Sequence, residues 1–205
     1  ASLTVTQKLA AESGKLGEVA FVDSRMVVTH GFHEAANHVW TLGPDKPTLR
    51  TRPMHDPFLN RGLAKSHRQP HVVWTTGYDG LCKQWDVRTF EVKRTLSHQW
   101  VTASVSISSD DRLLATSEWN GPVWLWNAET GQRHGAITAT TEHSSVQFAP
   151  NGKQLAVAGF DRRVRVVDVA TGEPVWPKSP HHGEVLRLAL SPNDRLLASA
   201  ANDGS

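Results

Sequence analysis

The chain has 205 residues, 39% of them hydrophobic, which suffices for one sizeable core or two small domains. Lys plus Arg number 22 against 20 Asp plus Glu, and the net charge of +2 gives no basis for a nucleic-acid or membrane-surface partner. Cys82 is the single cysteine, so an internal disulfide is excluded, and no apolar run approaches the roughly 20 residues of a membrane-spanning helix. Residues 1–9 lack the basic-then-apolar layout of a signal peptide, which is the expectation for a cytoplasmic protein.

A repeat dominates the sequence. Trp85-Asp86 returns as Trp126-Asn127 and then as Val167-Asp168, each time after 41 residues. Asp79, Asn120 and Asp161 keep the same interval, as do Leu114, Leu155 and Leu196, and Thr130-Gly131 returns as Thr171-Gly172. Inside each period the pattern is that of short strands: Val101, Ala103, Val105 and Ile107 alternate with Thr102, Ser104 and Ser106. Leu186, Leu188 and Leu190 alternate likewise. The turn pairs Asp79-Gly80, Asn120-Gly121, Asn151-Gly152 and Asp203-Gly204 separate the runs as hairpin signals. No long 3.6-residue apolar stripe exists, so helix is not expected. Four short strands in every 41 residues is the layout of propeller blades.

In chain order, residues 3–9 read as an outer strand of a preceding blade. Blade one covers residues 16–52, blade two 55–96, blade three 98–138 and blade four 140–178. A fifth blade begins at His181 and has two of its four strands by residue 205. The predicted fold is all-β, a propeller with four complete blades and partial blades at both ends. Such an arrangement exposes strand edges, so a second polypeptide is expected to complete it: the rest of the same protein, or a second copy in an oligomer.

The stretch from Leu113-Leu114-Ala115-Thr116 to Trp126-Asn127 resembles WD repeats, as does that from Leu190-Ser191-Pro192-Asn193-Asp194 to Asp203-Gly204. They are most similar to those of bacterial multi-repeat proteins. The likeness is close from residue 70 to 205 and weak before residue 53. It implies a buried hydrogen-bond relay in each blade, running through a His, a Ser or Thr, an Asp and a Trp. His55, Thr75, Asp79 and Trp85 match it in blade two; His98, Thr116, Asn120 and Trp126 match it in blade three, with Asn in place of Asp. Blade five supplies His181, Ser199 and Asp203. In blade four Val157 and Val167 replace the hydroxyl and the Trp, leaving Asp161 only its turn. In blade one Thr29 fits the hydroxyl position, and aligning Val39-Trp40 with Val123-Trp124 puts Leu42 at the Trp position, so that blade is expected to lack the relay.

A hydrolase triad is the competing reading of His, Ser or Thr, and Asp. A triad is needed once, whereas this set recurs with the blade period and ends on a Trp, which donates a hydrogen bond and cannot attack a substrate. No catalytic residue is assigned. The resemblance also implies that partners dock on the face formed by the turns before each relay Asp. Tyr78, Trp119, Phe160 and Asn202 occupy those positions, and Trp100 lies near the same face. The bland alternative is that these rings pack on adjacent blades.

His30, His33, Glu34 and His38 carry metal-ligand chemistry without a metal-site spacing, and read as a solvated surface loop; no metal or cofactor is expected. Arg162, Arg163, Arg165 and Arg187 read as solvated strand faces. The functional expectation is a scaffold that binds a protein or peptide. The rival expectations are a propeller enzyme or sensor with a small-molecule site at the central channel, and a structural or engineered fragment without a ligand.

Overall fold

The structure, a computed structural model, describes residues 16–31, 36–43, 46–55, 60–137 and 143–204. Eighteen strands and no helix occur among them. The strand expected over residues 3–9 lies outside the described residues.

Each sheet is an antiparallel meander in chain order. Blade one is β1 (Leu16–Phe21), β2 (Met26–Gly31), β3 (Ala36–Thr41) and β4 (Thr48–Pro53). Blade two is β5 (Asn60–Lys65), β6 (Val72–Gly77), β7 (Leu81–Asp86) and β8 (Val92–Ser97). Blade three is β9 (Thr102–Ile107), β10 (Leu113–Glu118), β11 (Val123–Asn127) and β12 (Arg133–Ile137). Blade four is β13 (His143–Phe148), β14 (Gln154–Gly159), β15 (Arg163–Asp168) and β16 (Pro174–Pro180). A two-stranded sheet, β17 (Val185–Leu190) with β18 (Leu197–Ala201), follows. The chain is an all-β propeller of four-stranded blades.

The turns between second and third strands define what we call the upper face. Gly80 (φ +70°), Arg162 (φ +63°) and Gly204 (φ +84°) hold the left-handed conformation at the same step of their turns, and their amides bond back to Gly77, Gly159 and Ala201. Gly121 does not adopt it, so the Asn120-Gly121 turn differs from its counterparts.

The first strand of every sheet carries one extra residue relative to its neighbour, a β-bulge near its start: in the segment between Leu16 and Val19, then at Arg61, Ala103, Ser144 and Leu186. Strands β5, β9, β13 and β17 lie side by side around the centre, with β1 packed on β5. Ser104 Oγ accepts from Val146 N (3.3 Å) and Ser106 Oγ from Phe148 N (2.9 Å), which ties blade three to blade four.

The core lies between blades. One cluster joins Val28 and Val39 of blade one to Val73 and Trp85 of blade two. A second joins Trp74 and Leu96 to Val105 and Trp126, a third Leu125 and Ile137 to Phe148 and Val167, and a fourth Ala158 and Val164 to Val185. Each of these clusters joins two consecutive blades.

Pairing in the last sheet corrects one position of the repeat. Leu114 pairs with Ile107 and Leu155 with Phe148, and the equivalent partner of Leu190 is Leu197. The final repeat is one residue longer than the period, so Leu196 falls outside the strand and is 70% exposed.

Candidate functional site

Blade two brings His55, Thr75, Asp79 and Trp85 into one chain of hydrogen bonds. His55 Nδ1 lies 2.9 Å from Asp79 Oδ1 and Nε2 lies 3.0 Å from Thr75 Oγ1, while Trp85 Nε1 donates to the same hydroxyl at 3.1 Å. Because Asp79 can only accept, the ring proton sits on Nδ1, Nε2 accepts from Thr75, and Thr75 accepts from Trp85. Gly77 makes room, since a Cβ there would come within 2.8 Å of the His55 ring. Asp79 also accepts from Leu81 N (3.1 Å) and faces Lys83 Nζ at 3.6 Å.

Burial pushes the Asp79 pKa up, but the hydrogen bond from His55, then the Leu81 N–H and Lys83, hold it below the ordinary carboxylate value. A depressed folded pKa gives stability that is complete above the unfolded value, near pH 4, and fades as pH falls through the folded one. Asp79→Ala is expected to lower stability by about 1–3 kcal/mol at neutral pH, since it leaves His55 Nδ1 buried without an acceptor. Urea titrations should show the gap to wild type narrowing below about pH 4. An unchanged midpoint at neutral pH would show that the carboxylate contributes nothing. Thr75 and His55 are buried, so the hydroxyl that a hydrolase would use as nucleophile is closed to substrate.

Blade three keeps only part of this arrangement. His98 Nε2 lies 2.8 Å from Thr116 Oγ1, and Trp126 Nε1 donates to that hydroxyl at 2.7 Å. Asn120, expected as the fourth member, is exposed and does not reach His98; His98 Nδ1 is buried with no hydrogen-bond partner among the described residues. Burial lowers the His98 pKa to about 4, against the pull of the Gly80 carbonyl and helped by the charge of Arg133. Glu118, buried, fills the region instead: its carboxylate accepts from Gln99 N at 3.1 Å. In blade five Asp203 makes the corresponding contacts, to His182 N and Gly183 N at 2.7 Å, while His181 Nε2 meets Ser199 Oγ at 2.7 Å.

Blades one and four correct the sequence reading. Val27 pairs with Trp40 as Val73 pairs with Trp85, and Trp40 Nε1 donates to Thr29 Oγ1 at 3.1 Å. Trp40, not Leu42, therefore stands at the Trp position, and blade one keeps the Trp–Thr bond. In blade four Asp161 has more than its turn: Arg165 Nη2 lies 2.5 Å from Asp161 Oδ2. Arg165 is buried rather than on a solvated face; Arg162 and Arg163 are exposed, and Arg187 pairs with Glu18 at 3.5 Å. His30 and His38 are likewise buried on β2 and β3 rather than in a solvated loop, His33 and Glu34 lie outside the described residues, and no group of metal-binding side chains occurs among the described residues.

The upper face gathers three of the five residues singled out for partner binding. Tyr78 and Trp119 meet edge to face at 5.3 Å between ring centres, and Trp119 meets Phe160 in the same way at 6.3 Å. One stripe of half-buried rings thus crosses blades two, three and four. The rings do pack on adjacent blades, as the bland reading had it, and they do so while keeping part of their surface open. Trp100 stands outside the stripe, 48% exposed. Asn202, exposed, is tied to Glu184, whose amide donates to Asn202 Oδ1 at 2.8 Å. Arg61 was not singled out from the sequence: its guanidinium carbon lies 5.1 Å from the Tyr78 ring centre and 4.9 Å from that of Trp119. Desolvation by burial lowers its pKa, Tyr78 raises it, and the charge of Arg187 lowers it again.

The opposite face holds a hollow of about 500 Å³, lined among others by Ser66, Arg68, Asp110 and Asp111. Its two aspartates are engaged: Asp111 accepts from Ser66 Oγ and from the amides of His67 and Arg68, and Asp110 from Ser108 Oγ.

The family model "WD domain, G-beta repeat" matches residues 133–168 and 172–205. Those residues carry WD repeats. The first match runs from β12 through β15, so the WD repeat as a sequence unit straddles two blades, starting on the outer strand of one and ending on the third strand of the next. The chain is similar to WD repeat-containing protein SL1-17 of Schistosoma mansoni, 31% identical over 63% of this chain and 43% of that protein. It is similar to human transducin-like enhancer protein 6, at 27% identity over 64% and 23%. It also resembles the APC/C activator protein CDC20 of Saccharomyces cerevisiae, at 29% over 59% and 20%. The chain spans less than half the length of each of these relatives.

Proposed function

We propose that these WD repeats form a non-catalytic scaffold that binds a protein or peptide segment across the upper face. The observation that carries this reading is the continuous stripe of Tyr78, Trp119 and Phe160, three partly open rings contributed by consecutive blades. Aromatic side chains lose little conformational entropy on binding and supply most of the energy at protein interfaces. The blades beneath are held by inter-blade cores, and blade two also by its relay, so the rings are presented in a set geometry. WD-repeat relatives act in general as interaction scaffolds or regulators, which supports the same class of role.

Panning phage-displayed random heptapeptides against wild type and against a Trp100→Ala, Trp119→Ala double variant tests the proposal. Wild type should enrich binders, and the variant should capture them at least about tenfold less. Equal capture by a folded variant would remove the upper face from consideration.

A further inference from the structure

We propose that the partner of the upper face is an acidic peptide, with a glutamate or aspartate carboxylate seated on the Arg61 guanidinium between Tyr78 and Trp119. The inference rests on the upper-face reading and adds the chemistry of what docks there.

Arg61 is the extra residue of the bulge in β5, where blades three, four and five place Ala103, Ser144 and Leu186. A bulge re-aims the side chain it carries, here onto the aromatic stripe. The guanidinium thus lies over both rings, and none of its N–H groups meets an acceptor among the described residues. No carboxylate pairs with it among the described residues, whereas Lys83 and Arg165 pair with Asp79 and Asp161, and Arg88 with Asp86. Arg61 Nε and Trp119 Nε1 are both buried donors without an acceptor among the described residues. Buried donors left unpaired call for an oxygen that the described residues do not supply. Since a guanidinium does not lose its proton, it stands there as a partly desolvated cation that no described residue compensates. An anion relieves it.

The charge count favours a carboxylate over a phosphoryl group. Arg187, the other guanidinium that Arg61 senses, is already paired with Glu18, so the pocket offers one uncompensated positive charge. At the far end of the stripe, the turn of Phe160 exposes Arg162 and Arg163, neither in an ion pair among the described residues. A peptide with an apolar residue on the rings and acidic residues to either side matches this order of groups.

The test uses an array of random heptapeptides whose central residue is fixed as glutamate, glutamine, lysine or phosphoserine. Wild type should bind the glutamate set about tenfold more than the glutamine set, and added salt should narrow the difference. Arg61→Met keeps the apolar stem over the rings and should bring the glutamate set down to the glutamine level, whereas Arg61→Lys should retain part of the preference. An Arg61→Met protein with wild-type circular dichroism and urea midpoint that still prefers glutamate overturns the inference. So does a preference for lysine, for phosphoserine over glutamate, or for no set at all. If the four sets bind alike and Trp119→Ala abolishes binding, the upper face is the docking site and the acidic assignment falls. If Trp119→Ala changes nothing, the upper-face reading itself falls.

Discussion

Replacing Trp85 by alanine should lower the stability of the chain by about 3–5 kcal/mol, the range for truncating a fully buried Trp. The indole is completely enclosed, stacks on Phe90 at 5.6 Å, and sits in the cluster that joins Val28 and Val39 of blade one to Val73 and Val87 of blade two. Alanine therefore opens a cavity between two blades and also strips the Thr75 hydroxyl of its donor. Trp85→Phe separates these effects: it keeps most of the ring volume and loses the hydrogen bond, so about 1–3 kcal/mol is expected. Trp100→Ala, at a ring 48% exposed, should stay within about 0.5 kcal/mol. Urea denaturation followed by far-ultraviolet circular dichroism measures all three. A Trp85→Ala midpoint equal to that of Trp100→Ala would mean that the inter-blade cluster does not hold the sheets together.

The large architecture was legible because its causes are local and repeat. Strand alternation and the turn pairs recur with the blade period, and an inter-blade core demands apolar residues at the same step each time, as at Leu114 and Leu155. Positions were misread where the spacing drifts. In blade one Thr29 and Trp40 are 11 residues apart where Thr75 and Trp85 are 10 apart, so Trp40 reaches Thr29 although spacing pointed to Leu42. One added residue in the last repeat exchanges Leu197 for Leu196. Arg61 was illegible for another reason: a bulge inserts a residue without breaking the pattern around it, and its new direction appears only when the strands are paired.

Glu118 did leave a signal. Gly77, Glu118 and Gly159 recur with the period of 41, and a Glu that replaces Gly beside the relay His must find its own space. It enters the region that Asp79 fills in blade two, and Asn120 is exposed. The third strand changes in step. Lys83 in blade two and Arg165 in blade four face an Asp of the turn, whereas in blade three the same position is Trp124, stacked against Arg133 at 4.2 Å. Where the strand supplies a cation, the turn supplies the carboxylate to meet it; where it supplies an indole, the turn carries an amide.

That coupling sets the last expectation. Blade four has no Trp–hydroxyl bond, because Val157 and Val167 are both apolar and fully packed, so the Asp161–Arg165 pair, with the Arg163 N–H on Asp161 Oδ1 at 3.2 Å, joins its turn to its third strand. Asp161→Ala would leave a guanidinium that is 7% exposed without its counter-charge and should lower stability by about 3 kcal/mol. Arg165→Met on top of Asp161→Ala should recover most of that loss, since the methionine fills the same space and no buried charge is left unpaired. The two single variants and the double variant form a cycle whose coupling energy isolates the pair, read from urea midpoints at low and high salt. A coupling below about 0.5 kcal/mol would mean that solvent reaching the 28%-exposed Asp161 side chain screens the pair, and that packing at Val157 and Val167 alone holds blade four.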